Sequence, residues 1–383
     1  MADNTIRGKA VIVGIGETAH RRVWPNRSML GLCAEAAAEA IRDAGLRRED
    51  IDGIMTYGGD PGPTQMAEYL GLNAIHFGVG STFYGASAGC ALTIASHVLM
   101  GGMANYIMFV GGGSRDPGNP AAAGGTHMND ASPALPPPSI TAEWQSPYGP
   151  AIAANNNYGM LYARHMYEYG TKPEQIAQIA ARQRFNAQAN ERSAFQGQPI
   201  TTEDVMNSRY INYPLHILES VMPTAGAIAY IVTTPERAKA LRHDPVYVLG
   251  AGLSVGYAMT YLKPIMTESP VRYSAPAAFQ MSGYGPKDMQ FANFYDCYTI
   301  LNAVSLEDAG LCPKGEIGNW LDSIDSTYKG DFPLNTDGGQ LGAGQLNAAG
   351  ASGCQQIVET VRQIRGEAGQ RQVARHDIAL VNG

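Results

Sequence analysis

Short apolar runs alternate along this chain with longer stretches in which apolar residues recur at helical spacing. Residues 10–16 and 105–110 are runs of the first kind, rich in β-branched or aromatic residues, and they predict buried strands. Residues 29–44 are of the second kind and predict a helix, with Ser28 placed to cap its first turn and Gly45 to end it. The order of strand, helix and strand is typical of an α/β fold.

The same alternation returns in the last third of the chain. Residues 246–254 and 289–294 predict strands. Residues 354–365 predict a helix, and residues 377–381 predict the start of another strand. These elements indicate a second half built like the first, although the residues themselves show no obvious internal repeat.

The composition changes between the two halves. Proline, glycine and alanine dominate residues 114–150, which predicts a long ordered loop or lid. Residues 158–169 and 173–189 then predict two helices with apolar residues at helical spacing. We therefore expect three parts, which are a first α/β half at 1–114, a loop insertion with connecting helices at 115–245, and a second α/β half at 246–383.

The composition also narrows the class of protein. The 383 residues are 45% hydrophobic and only 16% charged, which favours an enzyme with a large core over a charged binding scaffold. A net charge of −7 argues against nucleic acid as the main partner. No apolar run is long enough to cross a membrane, and the first residues lack the apolar stretch of a signal peptide.

The cysteines are scattered and include no Cys-x-x-Cys pair. They are Cys33, Cys90, Cys297, Cys312 and Cys354. An odd number at these spacings favours reduced thiols in a cytoplasmic protein, and we expect no metal site.

A glycine-rich stretch, residues 334–350, precedes the last predicted helix, and its glycines would let the backbone come close to a ligand. Its order is Asn-Thr-x-Gly-Gly, a short spacer, then Gly-x-x-x-Ala-x-Gly. This resembles the C-terminal active-site loop of the thiolase superfamily, in particular sterol-carrier-protein-x type thiolases and lipid-transfer-protein type steroid side-chain aldolases. Residues 164–171 resemble the lipid-transfer-protein group as well.

The resemblance covers residues 11–381 and implies an α/β fold, namely the thiolase-like five-layer αβαβα sandwich of two similar halves with a loop insertion. Family members usually continue from the position of Val381 through a glycine turn into one more strand, whereas this sequence stops at Gly383. We therefore expect that last strand to be either missing or outside the sequence.

The residues that a thiolase uses for catalysis are replaced in this chain. Thiolases carry a nucleophilic cysteine at a helix N-terminus, which lowers the thiol pKa, and the family's spacing counted back from Gly102 reaches Gly85. Gln345 stands where the family has the histidine of Gly-His-Pro, and Tyr295 where it has the histidine of His-Asp-Cys-Phe. The family's aspartate near Thr224 is absent too.

The resembling aldolases cleave a β-hydroxyacyl-CoA without a covalent intermediate, and they carry tyrosines at the positions of both Tyr295 and Gln345. The resemblance implies Tyr295 as the catalytic acid/base and Gln345 as an amide donor to the enolate oxygen. The residues at matching positions that we expect to bind substrate are Tyr84, Gly85, Asp296, Cys297, Asn335, Gly338, Gly339 and Gly344.

We therefore expect an aldolase, a carbon–carbon lyase that acts on a β-hydroxyacyl-CoA, with steroid side-chain CoA thioesters as one substrate class. Two alternatives stay open. One is a non-catalytic acyl-CoA-binding subunit of a hetero-complex, and the other is a thiolase or acetyl-CoA acetyltransferase that uses Cys90 or Cys297. The resemblance also implies a homodimer and a small acyl-CoA-associated partner with an OB fold and zinc ribbon. We expect no cofactor, because the acyl-CoA thioester is the substrate.

Overall fold

The computed structural model describes residues 5–57, 61–81, 83–114, 154–257, 263–346 and 353–383, and most of the predicted proline-rich loop lies outside them. The strands are β1 (Val11–Glu17), β2 (Gly53–Tyr57), β3 (Phe77–Ser81), β4 (Ile107–Gly113), β5 (Tyr210–Asn212), β6 (Leu215–His216), β7 (Pro223–Thr224), β8 (Gly226–Thr233), β9 (Val246–Tyr247), β10 (Phe291–Asn293), β11 (Gln345–Leu346) and β12 (Ala379–Val381). The helices are α1 (Met29–Ala44), α2 (Pro63–Leu70), α3 (Ser87–Met100), α4 (Asn155–Tyr169), α5 (Pro173–Gln188), α6 (Thr202–Asn207), α7 (Pro235–Ala238), α8 (Val271–Ser282), α9 (Thr299–Asp308), α10 (Ile317–Ser323), α11 (Gly339–Ala343) and α12 (Cys354–Ile364).

The elements predicted from apolar spacing are confirmed to within a few residues, with one exception. Helix α1 begins after Ser28, whose hydroxyl accepts a hydrogen bond from the Gly31 N–H, and it ends at Gly45, which has φ +70°. The prediction of a strand over residues 246–254 is wrong beyond Tyr247, because only β9 forms there. None of the helices in the described ranges is long and apolar enough to span a bilayer.

The first sheet has the order β3-β2-β4-β8-β1-β9. Strands β3, β2 and β4 run parallel, whereas β8 is antiparallel to both β4 and β1 and lies between them. Strand β8 comes from the stretch that we expected to be an insertion. Every residue of β1, β4 and β8 is buried, because helices cover both faces of the sheet.

Two glycines of β1 let helix α1 approach the sheet closely. A Cβ atom on Gly14 would lie 2.9 Å from the Ala44 Cβ, and one on Gly16 would lie 2.7 Å from the Ala40 backbone nitrogen. The Gly-x-Gly pair therefore serves helix–strand packing.

The second sheet is small and forms its own layer of the fold. Strand β12 pairs in parallel with β10, and Leu334 forms a single bridge to Ala292 on the other side of β10. Helices α3 and α12 pack between the two sheets, with α1 and α2 outside the first sheet and α8 and α9 outside the second. The five layers are those expected for a thiolase-like αβαβα sandwich.

A cavity of about 430 Å³ separates β12 from residues 246–254. The cavity is lined by apolar side chains of the flanking helices, including Leu92, Ile357, Val361 and Phe279. Tyr295 is also part of the lining.

Candidate active site

Tyr295 and Gln345, which are fifty positions apart in the sequence, meet in the structure. Tyr295 lies two residues after the end of β10, and its backbone N–H donates to the Asn382 carbonyl at 3.2 Å. Gln345 opens β11, which pairs in parallel with β7. The Gln345 side-chain amide donates to the Tyr295 phenol oxygen at 3.3 Å. The two residues that we predicted to be catalytic therefore share one hydrogen bond.

The ring of Tyr295 lies directly over Gly85. A Cβ atom on Gly85 would fall 2.5 Å from Tyr295 Cε2 and 2.9 Å from Cε1, closer than real Cβ atoms come to other atoms. Gly85 belongs to the short turn that leads into α3. The phenol ring therefore occupies the space that a side chain at position 85 would need, and the match of this position to the thiolase cysteine stays a prediction.

Asp296 is fully buried and accepts hydrogen bonds from the backbone N–H groups of Gln340 and Leu341, at 3.1 and 3.0 Å, and from the Gln356 amide at 3.1 Å. Burial raises the pKa of Asp296 to about 7, against the opposing effect of the Leu341 and Gln340 N–H groups. Its contacts hold the first turn of α11 and thereby the loop that carries Gln345.

The thiols near the site are buried and weakly acidic. Burial raises the pKa of Cys297 to about 12 and also raises the pKa of Cys90, which lies in the second turn of α3. All five cysteines are buried and free. A thiol with a raised pKa holds little thiolate at neutral pH, so neither Cys90 nor Cys297 has the environment of a catalytic nucleophile.

The glycine-rich stretch packs tightly against its neighbours. Asn335 has φ +45° and clamps Phe294 through two hydrogen bonds, accepting from its N–H at 2.7 Å and donating to its carbonyl at 2.9 Å. Gly338 has φ +102° and lies against Ala187, and Gly339 has φ +59° and lies against the Asp296 carboxylate. These contacts place the loop, and a role of Asn335, Gly338 and Gly339 in binding substrate stays a prediction.

Two further predicted binding residues lie at opposite ends of the site. Gly344, with φ +107°, packs against Thr224, which leaves no space for a side chain there. Tyr84 is 58% exposed and has φ +48°, and its carbonyl accepts a hydrogen bond from the Ser87 hydroxyl. The ring of Tyr84 therefore lies at the surface beside the turn that contains Gly85, and its contact with substrate stays a prediction.

The structure adds a buried histidine that the sequence did not single out. His20, which follows β1, lies 3.1 Å through Nδ1 from the Gly344 carbonyl and 2.8 Å through Nε2 from the Glu17 carboxylate. Only the spacing of Glu17 and His20 after a strand could have drawn attention to them, and that pattern is too common to be specific. Across the described residues, no group of three His, Cys, Asp or Glu side chains has the arrangement of a metal site.

Known proteins match this chain over nearly its whole length. It is 31% identical to a steroid side-chain-cleaving aldolase of Thermomonospora curvata, over 95% of this chain and 92% of the relative. It is also 31% identical to an acetyl-CoA acetyltransferase of Methanothermobacter thermautotrophicus, over 97% of this chain and 94% of that protein. Among solved structures, an Ltp2–ChsH2(DUF35) aldolase has a TM-score of 0.85 and 30% identity, covering 96% of this chain and 94% of the matched one.

A family described as "Thiolase C-terminal domain-like" matches residues 254–383. This match includes β10, α11, β11 and α12, and therefore both Tyr295 and Gln345. The two curated relatives are equally similar overall but differ in activity, so the degree of similarity alone does not choose between C–C cleavage and acyl transfer. The residues at the site must decide that question.

Proposed function

This chain belongs to the thiolase superfamily, and from that premise we propose that it catalyses retro-aldol cleavage of a β-hydroxyacyl-CoA without a cysteine nucleophile. It is a thiolase-fold carbon–carbon lyase of the kind represented by the steroid side-chain-cleaving aldolase. CoA thioesters of steroid side chains are the substrate class that this relationship favours. The chain itself supplies the reacting groups, and the thioester is the substrate rather than a bound cofactor.

The observation that carries the proposal is the place of the Tyr295 ring over Gly85. Acyl transfer through an enzyme thioester needs a thiolate at a helix N-terminus. Here Gly85 lies two residues before the first residue of α3, and the Tyr295 phenol takes up the space beside it. A phenol can exchange a proton with substrate, which is what a retro-aldol reaction requires.

In the proposed reaction, one proton moves from the substrate to Tyr295 and one proton returns from Tyr295 to the substrate. The Tyr295 phenolate takes the proton of the β-hydroxyl group, the C–O bond becomes a carbonyl, and the Cα–Cβ bond breaks. A ketone or aldehyde leaves, and the electron pair of the broken Cα–Cβ bond remains on the thioester as an enolate. The same phenol then returns the proton to Cα, which yields a shorter acyl-CoA. No oxidant, reductant or free CoA is consumed.

Gln345 acts on the phenol oxygen in this scheme. A free phenol titrates near pH 10, so a base at neutral pH needs a group that stabilises the phenolate. The Gln345 amide donates to the phenol oxygen and supplies part of that stabilisation, although it cannot itself exchange a proton. The resembling aldolases carry a tyrosine at the position of Gln345, so this chain keeps a hydrogen-bond donor there but loses a second acid/base.

We also propose that the chain works in a hetero-complex. The structurally similar Ltp2–ChsH2(DUF35) aldolase is named for two proteins. A small OB-fold and zinc-ribbon protein that associates with acyl-CoA is the partner that this relationship favours, with a homodimer of the present chain at the centre.

A cleavage assay with and without free CoA tests the proposal. The chain, alone and with its OB-fold partner, would be incubated with branched β-hydroxyacyl-CoA substrates. We expect a ketone or aldehyde and a shorter acyl-CoA to form at the same rate whether or not free CoA is present. Products that form only with free CoA would overturn the proposal in favour of a cysteine-dependent thiolase. Acyl-CoA binding without turnover would favour a non-catalytic subunit.

A further inference from the structure

We infer that His20 is a positioning residue that fixes the peptide unit between Gly344 and Gln345, and that it does so as a buried imidazolium. The inference deepens the proposed function, because that peptide unit is the base from which the Gln345 side chain reaches the Tyr295 phenol. His20 is 1% exposed and lies in the chain segment that follows β1, far from Gln345 in the sequence.

The protonation state of His20 follows from its two partners. Nδ1 lies 3.1 Å from the Gly344 carbonyl oxygen, and Nε2 lies 2.8 Å from a carboxylate oxygen of Glu17. A carbonyl and an ionised carboxylate can only accept, so each ring nitrogen must carry a hydrogen. A ring with hydrogens on both nitrogens carries a positive charge, and this cation donates a charge-assisted hydrogen bond at each end.

Glu17 supplies the counter-charge and remains ionised. Burial alone would raise the pKa of Glu17, but the Arg362 guanidinium, followed by His20, holds it well below its ordinary value. Arg362 belongs to α12 and lies 2.5 Å from the second carboxylate oxygen of Glu17. The imidazolium therefore rests on a carboxylate that is itself held by the helix behind the site.

Both polar groups of the peptide unit between Gly344 and Gln345 are engaged. The Gly344 carbonyl accepts from His20 on one side, and the Gln345 N–H donates to the Met222 carbonyl at 3.0 Å on the other. Gly344 has φ +107° and ψ 136°, a conformation that glycine adopts easily and can leave easily. His20 therefore adds a second anchor, opposite the Met222 contact, to a peptide plane that follows a glycine.

Two substitutions separate positioning from general stabilisation. In His20→Asn, the side-chain nitrogen is separated from Cβ by the same number of bonds as Nδ1 of histidine. This variant therefore keeps a donor for the Gly344 carbonyl and loses the contact with Glu17. In His20→Gln the nitrogen corresponds to Nε2, so this variant keeps the contact with Glu17 and loses the donor for Gly344. A merely structural histidine would make the two variants alike, or favour glutamine.

We expect kcat of the His20→Gln variant to fall by about tenfold or more, with KM changed by less than about twofold, because one charged hydrogen bond that orients the site is lost. His20→Asn should keep kcat within about threefold of the parent chain. Equal losses in the two variants, or no loss in folded His20→Gln protein, would refute the inference.

Crystal structures of both variants give a readout that does not depend on turnover. The Gln345 amide should stay within hydrogen-bonding distance of the Tyr295 phenol in His20→Asn and move away from it in His20→Gln. An unchanged Gln345 in both would contradict the inference even if the parent chain cleaves its substrate. If the parent chain shows no cleavage, the proposed function fails, and the crystallographic comparison still decides the role of His20.

Discussion

The phenol ring of Tyr295 and the missing side chain of Gly85 occupy complementary space, since a Cβ atom on Gly85 would lie 2.5 Å from Tyr295 Cε2. The family resemblance predicts a thiolase cysteine at position 85 and a thiolase histidine at position 295, so these two predicted replacements are one change in structural terms. A cysteine at position 85 and a tyrosine ring in its present place exclude each other. The predicted exchange of a thiol for a phenol would change the chemistry available at the start of α3 from acyl transfer to proton transfer.

The first prediction concerns Gly85 itself. We expect Gly85→Ala to lower the cleavage rate by about 100-fold, because the added methyl group displaces the Tyr295 ring by a distance that is critical for proton transfer. Gly89→Ala is the matched control, since a Cβ on Gly89 meets no atom within 4 Å. The control should keep full activity and raise the free energy of unfolding by up to about 1 kcal/mol. Equal rates for the two variants would show that the ring's position does not matter.

The second prediction removes only the Tyr295 hydroxyl. Tyr295→Phe should lower the cleavage rate by at least about 100-fold and leave acyl-CoA affinity nearly unchanged, because it deletes the acid/base and keeps the ring. Tyr298→Phe serves as the control in the same segment, where the lost hydroxyl donates to Asn155 at 2.6 Å and also shares a hydrogen bond with Ser220. Steady-state kinetics and calorimetric titration with an acyl-CoA would measure both effects. A Tyr295→Phe variant that still cleaves at the parent rate would eliminate Tyr295 as the acid/base.

The third prediction concerns thiol reactivity. Burial raises the pKa of Cys33 and of Cys297 to about 12, and it raises the pKa of Cys354 well above its ordinary value. The native protein should therefore resist alkylation by iodoacetamide at pH 7.5 and keep its activity, whereas all five cysteines should react after denaturation. Mass spectrometry would count the modified thiols. Rapid alkylation of a single cysteine with loss of activity would point to a thiol nucleophile.

The fourth prediction follows from Asp296, whose pKa burial raises to about 7 from an ordinary value near 4. A carboxyl whose pKa is higher in the folded than in the unfolded state stabilises the fold fully below the unfolded value, and this stability is lost as the pH rises through the folded value. Thermal denaturation should therefore show Tm falling between about pH 4 and about pH 7. The contribution of one such group is at most about 1.4 kcal/mol of unfolding free energy per pH unit.

Asp296→Asn tests this assignment. The variant should have a lower Tm overall, because the amide is a weaker acceptor for the Gln340 and Leu341 N–H groups, but its Tm should change less with pH. Asp322→Asn is the control. Hydrogen bonds from Gln175 and then Gln178 lower the pKa of this largely exposed carboxyl, so it titrates below the pH range in which Tm should fall. An Asp296→Asn variant with the parent's slope would show that other groups cause the pH dependence.

The sequence predicted local features well because their signals are local. Ser28 and Gly45 delimit α1 through bonds to residues a few positions away, and the apolar period of residues 29–44 needs no distant partner. The strand predicted beyond Tyr247 failed for the opposite reason. A strand forms only when a neighbour pairs with it. Val248 still exchanges backbone hydrogen bonds with Gly8 and Ala10, whereas residues 249–254 line the cavity beside β12.

The sequence by itself determined the order of strands and helices and the relationship to the thiolase superfamily, and it predicted the loss of the cysteine and histidines that thiolysis needs. Only the tertiary structure decided that the Tyr295 ring fills the space above Gly85, that Gln345 reaches its phenol, and that His20 holds the peptide before Gln345. The physical reason is sequence distance, because contacts between residues brought together by sheet pairing and helix packing leave no periodic pattern in the chain. The chemistry of this site therefore depends on contacts between residues that are distant in the sequence, whereas the strands and helices that support the site follow from local sequence pattern.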